Sequence, residues 1–306
     1  MIRLARTAVV AVALSTAGAC VSPEDDPSNV KDLRVLAISI EPPELMADDC
    51  ASALSSRAIY TSEVTLTALI ADPKGNDRQL RYELLACADP TDRNCSDAGD
   101  RTVLANGLTL AGELALQIRP GALTLSSGTP LLQRVVDIDD FHGFGGIRMP
   151  LVLHLFRGNE RIYAQKLMVF NCRMFPEMTA NTTPVIPGLR ENGNPWGADA
   201  LMTLQGSGRF NLSPEDFTNL EESYVVPGFD LTPVHLRESW KLSWHTDLGT
   251  ISPTETGGVD LGGQESRQMV EWKPSGGPEQ DVDFWVVARD GRGGESWLKR
   301  RAHYSP

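Results

Sequence analysis

Val282-Asp283-Phe284-Trp285-Val286-Val287-Ala288, then Asp290-Gly291-Arg292-Gly293-Gly294, then residues 296–304, is the stretch that decides the fold. β-branched and aromatic residues fill the first run, the glycine-rich five reverse the chain, and the last run returns as the second strand of a hairpin. Upstream, Trp240, Leu242 and Trp244 share one face of a strand while Lys241, Ser243 and His245 share the other. Residues 267–272 add a further strand. One helix is predicted in this half, capped by Ser213, with Pro214 at its first position and Glu215 and Asp216 in its first turn, running towards Tyr224.

The first half repeats the pattern with cysteines in place of tryptophans. Residues 33–40 read as a strand stopped by Pro42-Pro43, and Val64, Leu66, Ala68 and Ile70 fall on one face of a period-two run. Asp72-Pro73-Lys74-Gly75-Asn76-Asp77 turns the chain into a strand beginning at Leu80, and residues 103–118, 150–156 and 161–170 continue the series. With 27 glycines and 20 prolines among 306 residues, short strands joined by turns are favoured over a helical bundle. Every cysteine lies at or before Cys172, whereas all six tryptophans lie after it. Between the two sets, residues 174–193 carry Pro176, Asn181, Pro184 and Pro187, which is linker chemistry, and the boundary falls near residue 178.

The C-terminal stretch resembles bacterial immunoglobulin-like and PKD-like modules of surface proteins. The matching residues are Glu271-Trp272-Lys273-Pro274, the Gly276-Gly277 turn, residues 282–288 and the 290–294 turn. Residues 66–82 echo the same succession of strand, Asp-x-x-Gly turn and strand. The expectation is an all-β chain of two immunoglobulin-like β-sandwich domains, residues 33–177 braced by disulfides and residues 178–306 rich in tryptophan, with one short helix in the second. Such sandwiches host many unrelated functions, so the fold by itself implies no activity.

Residues 1–6 are a short basic start, and residues 7–19 are uncharged and mostly apolar. Thirteen such residues are too few to span a bilayer, which needs about 20, so residues 1–19 read as an export signal. The run ends Ala17-Gly18-Ala19-Cys20, which resembles the lipobox of bacterial lipoproteins, although that family usually has leucine where Ala17 stands. The resemblance implies cleavage before Cys20 and a diacylated, acylated cysteine. An ordinary Ala-x-Ala cleavage site is the competing reading. Cysteine parity favours lipidation: setting Cys20 aside leaves Cys50, Cys87, Cys95 and Cys172, an even set for two disulfides in an oxidising envelope. Cys87 and Cys95 are close enough in sequence to pair, which leaves Cys50 with Cys172. Residues 20–32, polar, acidic and proline-bearing, are predicted to form a disordered tether. Val21 is not the aspartate that commonly retains such lipoproteins at the inner membrane, so the outer membrane is expected, facing the periplasm or the surface.

Charge narrows the partners. Removing Arg3 and Arg6 from 28 basic residues against 40 acidic ones moves the formal charge from -12 to -14, and Lys299-Arg300-Arg301 is the one basic cluster, so nucleic acid is not an expected partner. No catalytic, cofactor or metal residue is predicted. His142, His154, His235, His245 and His303 lack metal-ligand spacing, and no Gly-x-Ser-x-Gly elbow occurs. Ser296-Trp297-Leu298-Lys299 fits Ser-x-x-Lys but lacks its companion motifs. His142-Gly143-Phe144-Gly145-Gly146 lacks the capped helix or lysine of a phosphate loop. Asp137, Asp139 and Asp140, or Asp72 with Asp77, or Asp290, would suit calcium, but acids in turns commonly bind their own backbone. The tryptophans could form a sugar-stacking platform, yet Trp240, Trp244, Trp272 and Trp285 occupy core positions of strands, leaving Trp196 and Trp297.

The expected function is therefore a lipid-anchored cell-envelope protein, not an enzyme and without cofactor, acting as a binding or structural display module. Its expected partners are the membrane, through the N-terminal lipid, and another envelope protein or a glycan. An envelope hydrolase on glycan or peptide, and a carbohydrate- or calcium-binding surface protein, are the alternatives.

Overall fold

The structure is a computed structural model that describes residues 26–258 and 268–306. Residues 1–19, read above as an export signal, Cys20 and Arg267 lie outside the described residues. Strands dominate, as the sequence predicts. In the first half, Arg34–Glu41, Val64–Ala71 and Gly112–Ile118 form an antiparallel three-stranded sheet in that order. It faces a five-stranded sheet ordered Glu44–Ala47, Glu160–Cys172, Ile147–Arg157, Leu80–Cys87, Arg101–Thr109, whose first pair is parallel. Ile40, Leu66, Ile70, Leu84, Leu153 and Phe170 fill the space between them. The alternation read at Val64, Leu66, Ala68 and Ile70 places all four in this core.

The second half packs a sheet ordered Asn194–Trp196, Leu189–Glu191, Phe210–Pro214, Val270–Lys273, Thr250–Ser252 against one ordered Met202–Gln205, Glu295–Ser305, Gln280–Arg289, Lys241–Thr246, Glu255–Gly257. Trp196, Trp244, Trp272, Phe284 and Tyr304 form the core, with Trp272 edge-on to both Phe284 and Tyr304. A hairpin of Ser223–Pro227 and Pro233–Arg237 stands apart as its own two-stranded sheet. Among the described strands, none of those within 34–172 pairs with any within 189–305.

Two expectations need correction. No helix follows Ser213: Ser213 and Pro214 end strand Phe210–Pro214, paired to Arg190 and Leu189, and Asp216 binds the Thr218 N–H and hydroxyl in a local turn. Between Glu215 and Tyr224 only Phe217 is buried, against Trp240, so no apolar stripe existed to hold a helix. The described helices, Arg57–Tyr60 and Leu131–Asp137, both lie in the first half. Neither is long or apolar enough to cross a membrane.

The tether also differs. From Asp26 onward it is docked on the second sandwich, with Ser28, Asn29 and Val30 buried. Thr246 N–H donates to Ser28 O (2.9 Å), Val30 N–H donates to Thr246 O (2.7 Å), and Asn29 Nδ2 donates to Gly249 O (3.0 Å). An unpaired strand end thus gains backbone partners, and Val30 supplies the single apolar side chain that makes the docking favourable. Within the connecting residues 174–193, Met178 and Asn181 are both buried.

The disulfides join Cys50 to Cys172 and Cys87 to Cys95. The first ties the segment after Glu44–Ala47 to the end of its parallel neighbour, and the second holds a loop over Val152. Alkylation followed by intact-mass measurement is expected to modify none of these four cysteines before reduction and all four after it. Modification of any of them in the unreduced protein would contradict the pairing.

Candidate functional site

The strand Gln280–Arg289 is buried on both faces. Phe284, Val286 and Ala288 point into their own sandwich, while Trp285 and Val287 point outward and pack on Leu36, Leu69 and Ala71 of the first sandwich and on Val30. The two sandwiches therefore meet sheet face to sheet face. Polar groups close the seam on one flank: Glu295, almost fully buried, binds Lys166 of the first sandwich (2.8 Å) and Arg289 (2.7 Å).

On another flank, the turn 290–294 organises a larger network. The N–H groups of Arg292, Gly293 and Gly294 all donate to Asp290 Oδ1, and Asn181 Nδ2 donates to Asp290 Oδ2 (2.7 Å). Gly294 has to be glycine, because a Cβ there would lie 2.7 Å from Pro184 Cδ and 2.9 Å from Thr182 O. Asn181 N–H donates to Glu44 Oε2 (2.6 Å), and Asn171 Nδ2 to Glu44 Oε1 (2.8 Å). Arg292 reaches Glu222 and Glu238 at 3.1 Å each and lies 4.2 Å above the Tyr224 ring. Glu238 also accepts Trp240 Nε1–H (2.9 Å). One arginine thus serves carboxylates from both sandwiches, with Glu44 at 3.8 Å.

Between these sandwiches lies a cleft of about 520 Å³, walled by the turns at 72–77 and 111–113 and by Asp247, Asp283, Trp285, Lys299 and Arg301. Cross-strand register sets the wall, since Asp283 faces Arg301 and Trp285 faces Lys299. Asp283 is held by Arg301 (2.7 Å) and Lys299 (2.9 Å). Burial pushes its carboxyl up, but those hydrogen bonds and charges outweigh burial and leave it below the usual carboxylate range. Asp247 has no such cation in contact. Burial, with the Asp283 charge adding to it, pushes Asp247 up to about 6, although Oδ1 accepts the Asp283 N–H (2.9 Å). Asp247 can therefore exchange a proton near neutrality, while both oxygens of Asp283 are committed.

The remaining sequence candidates are dispersed. Trp196, Trp240, Trp244, Trp272 and Trp285 are buried, and Trp297 is partly exposed with its Nε1–H donated to Glu113 (2.7 Å). A soluble quencher is accordingly expected to reach Trp297 alone, and a Trp297→Phe variant to emit with almost no quenchable fraction; substantial quenching of that variant would show otherwise. Ser296 and Lys299, three apart on a strand, face opposite sides. Asp139 accepts the Phe141 and Gly143 N–H groups, and Asp72 binds Arg78, so these turn acids serve their own loops. Among the described residues, no three His, Cys, Asp or Glu side chains converge as a metal site. His154 is buried between Asn94 O and Arg161, and burial followed by the Arg161 charge lowers its pKa. Sequence reasoning missed Asp247 in the cleft and Glu44, Asn181, Glu222, Glu238 and Arg292 in the network.

No protein-family model matches the chain, and no curated protein matches it. Solved structures resemble it weakly. Escherichia coli alpha-2-macroglobulin activated by porcine elastase aligns at 11% identity over 91% of this chain and 22% of that one, with a TM-score of 0.27. Red sea bream transglutaminase aligns at 9% identity over 91% and 32%, with a TM-score of 0.25. A chimeric titin Z1Z2 aligns at 12% identity over 89% and 99%, with a TM-score of 0.19. The chain thus spans less than a third of the first two, and at these scores the likeness carries no argument about activity.

Proposed function

We propose that the chain is a bacterial envelope lipoprotein, anchored to the outer membrane through Cys20, that presents two locked immunoglobulin-like sandwiches as a non-catalytic binding and display module. The observation that carries this reading is the docking of residues 26–30 on the second sandwich, with Val30 in the seam between the two. Five residues lie between Cys20 and Asp26, so six residue steps of about 3.3–3.6 Å reach about 20 Å at most. An acylated Cys20 would therefore hold the paired sandwiches close above the headgroups, with the seam fixing their mutual orientation. Several acyl chains are needed for such an anchor, since each buried methylene contributes about 0.8 kcal/mol and one chain alone binds marginally.

The test is Cys20→Ser in cells fed an alkyne fatty acid. The wild type is expected to take the label and pellet with membranes, and the variant to lose both; a variant that still pellets would refute the anchor. Release of soluble fragments from purified peptidoglycan by the folded protein would refute the non-catalytic part.

A further inference from the structure

The hairpin Ser223–Pro227/Pro233–Arg237 leaves a second groove, of about 420 Å³, against the first sandwich. Its floor is the outer face of the five-stranded sheet, where Met46, Leu167 and Val169 alternate with core residues along their strands. Its opposite wall is strand Ser223–Pro227, whose one ladder partner among the described residues is Pro233–Arg237. The bonds from Gly228 N–H to Thr232 O and from Glu238 N–H to Glu222 O fix which residues face that partner. Counting inward from both ends, Tyr224 and Val226 spend their backbone groups on the ladder, while those of Ser223 and Val225 point away from it. An edge of this kind is a template for one more strand.

Charge selects the occupant. Arg292 is already shared among Glu222, Glu238 and Glu44, whereas exposed Arg148, projecting from the floor, donates to Gly146 O and has no carboxylate within ion-pair distance among the described residues. Across the groove mouth, Phe144 of the first sandwich stacks on Phe229 at the hairpin tip, centroids 5.2 Å apart, and Phe229 is 98% exposed. In a chain of net charge -12, an unpaired guanidinium beside an apolar trough and an open strand edge is complementary to an extended apolar peptide that carries a carboxylate.

We propose that this groove binds an extended peptide segment of a partner protein, added as a third strand to the hairpin along Ser223–Pro227, apolar at alternate positions and with a carboxylate, terminal or side-chain, on Arg148. The reading does not depend on lipidation of Cys20.

The test uses random octapeptides with free C-termini displayed on phage and selected on the full chain, the enriched peptides then being synthesised and measured by fluorescence anisotropy. Val225→Pro removes an outward N–H while sparing the ladder, and Arg148→Glu reverses the charge on the exposed floor; circular dichroism checks both folds. Enriched peptides are expected to alternate apolar residues, and each substitution to weaken them by about tenfold or more. The proposal is overturned if nothing is enriched, or if either folded variant binds the selected peptides as the wild type does. Because Arg148 is exposed and outside every core contact, its variant remains informative even if the proline variant unfolds.

Discussion

Arg292→Leu is expected to lower the stability of the protein by about 3–5 kcal/mol, because removing one partner of a buried ion network leaves charges without compensation. The side chain is 13% exposed, and Glu238, which it neutralises, is 2% exposed. Glu238 keeps its bonds from Trp240 Nε1–H and Glu222 N–H in the variant, so its carboxylate stays fixed in place and loses only the cation. Leucine cannot restore this by packing, since the space it enters is lined by Glu222 and the Tyr224 ring face as well as by Glu238. Arg292→Lys separates charge from shape: the ammonium retains attraction but not the two-pronged contact or the ring stacking, and a smaller loss of about 1–2 kcal/mol is expected. Urea midpoints with unchanged slopes measure both variants. A loss under about 1 kcal/mol for the leucine variant would mean that the network behaves as an exposed one.

That network also marks where the sequence stopped being legible. Period two at Val64, Leu66, Ala68 and Ile70, and again at Trp240, Leu242 and Trp244, reports a local fact, the two sides of one strand, and it placed these residues in their cores. The helix read at Ser213 failed because a cap and an early proline specify only a start. What sustains a helix is an apolar stripe, and after Phe217 there is none. The seam between sandwiches was partly written in the sequence. Val286-Val287-Ala288, Leu69-Ile70-Ala71 and Leu36-Ala37-Ile38 are apolar at consecutive positions, which a strand covered on one face has no reason to be. Trp285 therefore belongs to the seam and not to the core of its own sandwich. Glu44, Asn181, Glu222, Glu238 and Arg292 carry no such mark, because they are far apart in sequence and each alone looks like an ordinary surface residue.

Asp247→Asn is expected to make the protein more stable above pH 6 by about 1.5–3 kcal/mol, and no more stable below pH 4, at 1.36 kcal/mol per unit of pKa difference discounted for partial exposure. The folded carboxyl sits at about 6, above its model value of 3.8, so between those values the native state holds a proton that the unfolded chain releases. Stability in the wild type is thus full below about pH 4 and is lost as pH rises towards 6, where burial and Asp283 oppose the ionised form. Asparagine removes the charge yet keeps an oxygen for the Asp283 N–H, so it isolates this one cause. Two residues away, His245 works in the opposite sense: burial lowers its pKa, so its contribution falls as pH drops below the ordinary histidine range. In the wild type the two slopes partly cancel. The variant should therefore do more than shift the curve upward at neutral pH; it should expose a rise in stability with pH through the histidine range, which His245→Gln should then reduce, buried His154 supplying the remainder in the same sense. Parallel curves for wild type and Asp247→Asn from pH 4 to 8 would show that Asp247 ionises in the cleft without strain.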